Sequence, residues 1–260
     1  MPKIQTSTVA ADIAQLLAHT GTAVFINNGV PWWWNHHGEH DSAGPLPLID
    51  PDGHLWSQVR PERVVGCIVY SANRKTGPGV IEHVANNRWI FGEPNGRSTS
   101  RLQAIAQMTQ RAGLMAETSA DLRREVWIKL LRNAPLNSIC ALTRLPVRSL
   151  VAHPDLVALC HHVIEEIVAV AAAQGVDISD CAHDARQAPL RGGAVNGQTT
   201  RPLLPSMLQD VLHGAPTEHE AILGQPQAFA RTAGVPTPRI DLLLALLRGL
   251  DASSVQAGAR

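Results

Sequence analysis

The chain is short of aromatic residues, of any charge imbalance, of paired cysteines and of long apolar runs, and each shortage excludes something. Aromatic residues make up 4% of the 260, and six of those residues are Trp. Lys and Arg number 22 against 22 Asp and Glu, so no basic excess is available to hold nucleic acid or an anionic membrane surface. Cys67, Cys140, Cys160 and Cys181 are far apart and form no C-x-x-C pair. That argues against a zinc knuckle or a disulfide framework and fits a reducing compartment. No run of about 18 apolar residues is present, so no membrane span is expected. The first twenty residues lack the basic start and apolar stretch of a secretory signal. What remains, 45% hydrophobic and 17% charged, reads as a soluble cytoplasmic chain with room for one large domain or two modest ones.

The pattern along the chain is α/β first and all-α second. A helical periodicity covers Thr8 to His19, with Val9, Ile13, Leu16 and Leu17 on one face. A short β-type run, Ala23 to Ile26, then ends in Asn27-Asn28-Gly29, a turn signal at a strand tip, where α/β proteins present ligand-binding groups. Residues 31 to 62 read as a long polar loop rich in Pro and Gly. Strands are expected at Val64 to Ser71, Gly79 to Val84 and Arg88 to Phe91, a helix at Ser98 to Ala112, and a last strand at Leu114 to Thr118. From Ser119 onward helices dominate: one through Leu131 or beyond, one from about Asp155 to Ala173 stopped by Gly175, and a last from about Arg239 to Gly249. Residues 176 to 204 read as irregular. Ser206 with Gln209, and Thr217 with Glu220, fit capping boxes. The expected division is an α/β domain over 1–118 and a helical domain over 119–260.

The chemistry concentrates in Trp127-Ile-Lys-Leu-Leu-Arg-Asn-Ala-Pro-Leu-Asn-Ser-Ile-Cys-Ala-Leu-Thr143. Residues four apart lie on nearly one helix face, so Lys129, Asn133 and Asn137 form a row beside an apolar stripe. One ammonium and two amides can offer a proton and several hydrogen bonds to a small polar ligand. The spacing alone leaves an ordinary reading open: Glu125 and Lys129 also suit a solvated i,i+4 pair worth roughly 0.3 kcal/mol. Pro135 is expected to end or kink the helix and shift Asn137 off the row.

The segment W-x-K-L-x-x-N-x-x-x-N-S-I-x-A-L-T resembles the signature of the ketopantoate reductase family, and further elements follow in that family's order. Lys3-Ile4-Gln5-Thr6 resembles its Val-Lys-x-x-Gln-Thr strand tip. Phe25-Ile26-Asn27-Asn28-Gly29-Val30-Pro31 is similar to its strand-end Gln-Asn-Gly. Pro205-Ser206-Met207-Leu208-Gln209-Asp210, Thr217-Glu218 and Gly234-Val235-Pro236-Thr237-Pro238 match its later elements. The resemblance covers nearly the whole chain. It implies a partial Rossmann-type nucleotide-binding domain followed by a helical domain like that of 6-phosphogluconate dehydrogenase relatives. It implies NADPH as cofactor and a small 2-oxo acid, 2-dehydropantoate, as the substrate reduced to pantoate in pantothenate biosynthesis. By the same resemblance Lys129 is the general acid, and Asn133, Asn137 and Ser206 bind substrate. Asn28 sits between substrate and cofactor, Glu218 meets the nicotinamide end, and Lys3 and the backbone around Ala72 touch the cofactor more weakly. Ser206 also suits a plain N-cap, whereas the capping box gives its local job to Glu220 and leaves Glu218 for the site.

The sequence departs from the family in several places. No G-x-G-x-x-G is present, and Gly77-Pro78-Gly79 lacks the third glycine and leads into a strand. Met1 stands just before the strand-tip lysine, so on the order of 70 residues of Rossmann fold are expected to be missing. The chain is then a truncated form whose remaining sheet edge is exposed. Val147 stands where the best-known members carry a substrate-binding Asn, and Pro226 is expected to interrupt a helix. These differences keep another 2-oxo acid, or a non-catalytic paralogue without NADPH, as alternatives. His36-His37-Gly38-Glu39-His40-Asp41 lacks the H-E-x-x-H helical spacing, so no metal site is assigned. Trp32-Trp33-Trp34 beside it is expected to fold over the active-site mouth or to pack a homodimer contact rather than to stack on bases.

Overall fold

The computed structural model describes residues 9–37, 43–190 and 204–258. The described residues divide into two compact units: one holds residues 9–27 and those between Pro31 and Glu125, the other holds Asn28–Val30 and those from Val126 on.

The first unit is built on a four-stranded mixed sheet in the order β1-β2-β3-β4. Helix α1 (Ala10–Leu16) precedes β1 (Ala23–Ile26). It is shorter than its periodicity suggests, because the expected apolar face is not covered: Leu16 is 86% exposed. Strand β1 runs parallel to β2 (Val64–Gly77), which pairs antiparallel with β3 (Val80–Gly92). The three strand segments expected here are therefore one long hairpin. Asn73 to Gly77 continue the strand through bulges rather than turning, and only Pro78-Gly79 reverses the chain. Helix α2 (Ser100–Arg111) carries β3 to the parallel β4 (Met115–Thr118). Its start is set by Thr99, whose hydroxyl accepts the Leu102 N–H at 3.2 Å. Leu102 and Ala106 then bury against Val65, Cys67, Phe91 and Ala116.

Among its described residues, the segment expected to be a polar loop sends several side chains into this unit's core. Trp32, Trp33 and Trp34 are 1%, 2% and 4% exposed, so they are neither a flap nor a docking surface. Phe25 meets Trp32 edge to face at 5.3 Å. Arg123 lies over Trp33 and Trp34 and donates to the carbonyls of Trp34, His36 and Pro94. Further on, the fully buried Asp50 accepts the Leu55 and Trp56 N–H groups, which starts a π-helical turn over Leu55–Val59. A loop this rich in Pro and Gly can bury its backbone because those carbonyls and amides find side-chain partners.

The second unit is helical. Helix α3 (Leu122–Thr143) begins where Asp121 accepts the Arg124 N–H at 2.9 Å, and the boundary between the units falls inside it. It runs on through Pro135 without a break. The proline removes one N–H, the usual i+4 donor to the Leu131 carbonyl, and the rest of the helix keeps its course; Ser138 Oγ donates to the carbonyls of Ala134 and Pro135. Helix α4 (Val147–Leu150) leads to α5 (Pro154–Ala173). Part of the stretch read as irregular is helix α6 (Ser179–Gln187). Helix α7 (Ser206–Leu212) precedes a π-helical turn over Glu220–Gly224, which runs into α8 (Gln225–Ala233). Pro226 does not break the helical run, which passes from the π-helical turn directly into α8. The last helix, α9 (Pro238–Gly258), is longer than its pattern suggests. By length and composition α5 is apolar enough to cross a membrane. Here it packs as a core helix, with Cys160, Val163, Ile164, Ile167 and Val170 buried and Glu166 bonded to the start of α9.

Candidate active site

On α3 the row keeps its spacing, because the helix is unbroken from Lys129 to Asn137. Lys129 and Asn133 are half-buried and Asn137 is buried. Behind the row, Trp127, Leu130, Leu131 and Ala134 are at most 1% exposed, and Trp127 packs against Phe229 with ring centroids 6.3 Å apart. An ammonium and two carboxamides are thus held on one face by an apolar one.

Asn137 is joined to Ser206. Its Oδ1 accepts the buried Met207 N–H at 3.2 Å and the Ser206 hydroxyl at 3.4 Å. The capping box expected here does not form: Pro205 is the cap residue, Ser206 begins the helix, and Gln209 Nε2 donates to Leu204 O. Asn137 performs the capping instead, from 70 residues away, and so brings Ser206 to the row.

Asn28 is joined to Glu218. Its Nδ2 donates to Glu218 Oε2 at 3.0 Å, and the next peptide follows, with Val30 N–H donating to Ala221 O at 2.8 Å. Gly29 makes this approach feasible. Its φ is +75°, and a Cβ there would lie 2.3 Å from the Ala221 carbonyl oxygen. The second capping box is also absent. Thr217 N–H and Oγ1 donate to Asp251 Oδ2 at 3.0 and 3.1 Å, while Glu220 receives a two-pronged bond from Arg248 at 2.7 and 2.9 Å. His219 sits between Asp251 and Glu220, 3.3 Å from each. Partial burial would raise the Glu220 carboxyl, but hydrogen bonds from His219 and Arg248 outweigh it and bring it down to about 2.

The arrangement therefore brings Lys129, Asn133, Asn137 and Ser206 together on one side, and Asn28 with Glu218 on another, all in the helical unit. Ala72 lies in the other unit, on the β2–β3 hairpin opposite Ala85, and Lys3 lies outside the described residues. Arg248, Asp251 and His219 are contributors that sequence reasoning missed; an Arg and an Asp three apart on a surface helix carry no signal. Val147, expected to replace a polar substrate contact, is a buried apolar residue. A groove of about 320 Å³ lies beside α3, lined among others by Leu131, Pro135, Leu136, Cys160, His161 and Ile164. It is apolar and holds none of the row. Of the histidine-rich run, Gly38–Asp41 lie outside the described residues. Among the described residues no three His, Cys, Asp or Glu side chains converge to hold a metal ion.

The chain is thus an α/β unit followed by a helical unit that carries a lysine among amides. The family profile described as ketopantoate reductase PanE/ApbA C terminal matches residues 121–251. A 2-dehydropantoate 2-reductase from Mesorhizobium japonicum is 36% identical over 95% of this chain and 74% of its own. Another from Halobacterium salinarum is 30% identical over 71% of this chain, which spans 58% of that relative's length. A crystal structure from Ralstonia solanacearum, described as a ketopantoate reductase, superposes with a TM-score of 0.84 at 32% identity, covering 95% of this chain and 74% of that one. D-mandelate dehydrogenase shares the fold, with a TM-score of 0.78 at 18% identity. The chain belongs to the ketopantoate reductase family.

Proposed function

We propose that this chain carries the substrate-binding and proton-donating part of an NADPH-dependent reductase that converts 2-dehydropantoate to pantoate. The observation that carries the reading is the unbroken row of Lys129, Asn133 and Asn137 with Ser206 joined to its buried end. The names of the Mesorhizobium and Halobacterium relatives support the substrate and the reaction. In this reading residues 119–260 are the catalytic domain, residues 1–118 contribute the remainder of a nucleotide-binding domain, and the protein works in the cytoplasm.

The residues at the strand tip suit the nicotinamide end of a dinucleotide. A carboxylate hydrogen-bonded to a carboxamide, Glu218 with Asn28, offers acceptors to ribose hydroxyls and a matching edge to an amide, and Gly29 lets this turn sit tightly on its neighbour. When bound, the cofactor supplies the hydride. The chain's own residues meet the other demands. Lys129 Nζ holds the proton that the developing alkoxide takes up, and its charge stabilises that oxygen before the transfer. Asn133 and the amide of Asn137 orient the substrate's oxygens, and Ser206 Oγ meets its carboxylate. Cys140 and Cys160 take no part, since burial pushes both thiols up to about 12 and keeps them protonated.

The test is NADPH oxidation with 2-dehydropantoate. Lys129→Ala is expected to lower kcat by about 10² to 10⁴-fold, the range for a general acid, while NADPH affinity measured by fluorescence titration is kept. Turnover close to that of the unaltered protein would remove Lys129 from the role. A second reading, a broader 2-oxo acid reductase, is favoured by the buried apolar Val147, which offers no polar contact to a substrate hydroxyl. Comparable kcat/KM for several 2-oxo acids would select it.

A further inference from the structure

We propose that Arg248 and Asp251, one turn apart on α9, are positioning residues that set Glu218 against Asn28; the proposal deepens the reading of that pair as the cofactor-facing one. Asp251 takes both the N–H and the hydroxyl of Thr217 and lies 3.3 Å from His219 Nδ1. Arg248 grips both oxygens of Glu220. Three of the four residues 217–220 are thus engaged by one helix, and Glu218, between them, receives the Asn28 amide. The helix that does this is itself anchored. Glu166, 8% exposed on α5, accepts the Arg239 and Ile240 N–H groups at 3.0 and 2.9 Å, where a carboxylate also suits the helix N-terminus.

The π-helical turn completes the device. A π turn holds one residue more than an α turn and recurs at functional positions in helices. Here it overlaps the clamped residues at Glu220, and Gly224 leaves room over the turn for the Glu220 carboxylate: a Cβ there would lie 2.0 Å from Glu220 Oε2, and the side chain would have to move. Glu220 can therefore fold across the turn to reach Arg248. From the other side Gly29 presses on the Ala221 carbonyl, and Val30 N–H donates to it. The turn is held by α9 through side chains and by the strand tip through backbone, so loosening the first should free the second.

Val30 N–H is the reporter, because it is remote from α9 in sequence and its acceptor lies in the turn. In Arg248→Gln and Asp251→Ala, hydrogen–deuterium exchange of the Val30 amide is expected to rise about tenfold. Exchange inside α5 and the Tm should change little, because Arg248 is 45% exposed on its side chain and its loss opens no cavity. Arg248→Lys, which keeps the charge, should recover part of the protection. If Asp251→Ala does not fold, Arg248→Gln carries the test alone. Val30 protection unchanged in Arg248→Gln, or exchange rising uniformly through the unit with a fall in Tm, would overturn the proposal. Glu218→Ala, titrated with NADPH, reads the functional assignment separately. Unchanged NADPH affinity there, together with a freed Val30 amide in Arg248→Gln, would remove the cofactor role and leave the clamp standing.

Discussion

The two halves of the candidate site are fastened by different forces. Lys129, Asn133 and Asn137 ride on a helix whose other face is buried hydrocarbon and indole. Asn28 and Glu218 depend on a turn tied by Arg248, His219 and two carboxylates, most of them partly exposed. Apolar packing neither titrates nor is screened by ions, whereas partly exposed ion pairs weaken as acid or salt is added. The half assigned to proton donation is accordingly fixed under nearly all conditions, and the half assigned to the cofactor is adjustable.

Three substitutions would break or sharpen that contrast. Trp127→Ala should cost most, about 3 to 5 kcal/mol in urea unfolding, as is usual for a fully buried large aromatic. A loss below about 1 kcal/mol would mean that this packing does not hold the row. Asn137→Ala should cost about 1 to 3 kcal/mol by the same measurement, because the buried Met207 N–H would lose its acceptor. Glu220→Gln should cost about 1 kcal/mol at pH 7, once the third of the side chain left in water is allowed for. Its sign with pH is definite. The folded carboxyl lies near 2 against an ordinary 4.5, so its stabilisation is present above about pH 4.5 and is lost as pH falls toward 2. Thermal unfolding across that range should therefore show a flatter acid limb for Glu220→Gln, whereas Trp127→Ala should lower stability equally at every pH.

The legible part of the molecule was the part whose relations run along one element. The row on α3 follows from residues spaced four apart, and α2, α5 and β4 follow from their own periodicity and stops. Pro135 looked like a break because a proline removes one N–H, and the local pattern does not show how firmly the apolar face of a 22-residue helix is packed around that single lost bond. The Trp32–Trp34 segment looked like a loop because Pro and Gly surround it, while its burial depends on Arg123, some 90 residues on. Both capping boxes were sound local patterns displaced by long-range partners, Asn137 in one case and Asp251 with Arg248 in the other. Local preferences of this kind are worth about 1 kcal/mol or less, and a buried or charge-assisted tertiary bond outweighs them.

The tryptophans that build the core of the α/β unit also divide the molecule for spectroscopy. Of the six, Trp32, Trp33, Trp34, Trp56 and Trp89 belong to the α/β unit and Trp127 alone to the helical one. Indole emission therefore reports mainly on the sheet, while the far-ultraviolet dichroism of a chain whose long helices are α3, α5 and α9 reports mainly on the rest. The protein carries a separate optical label for each of its two units without any being attached.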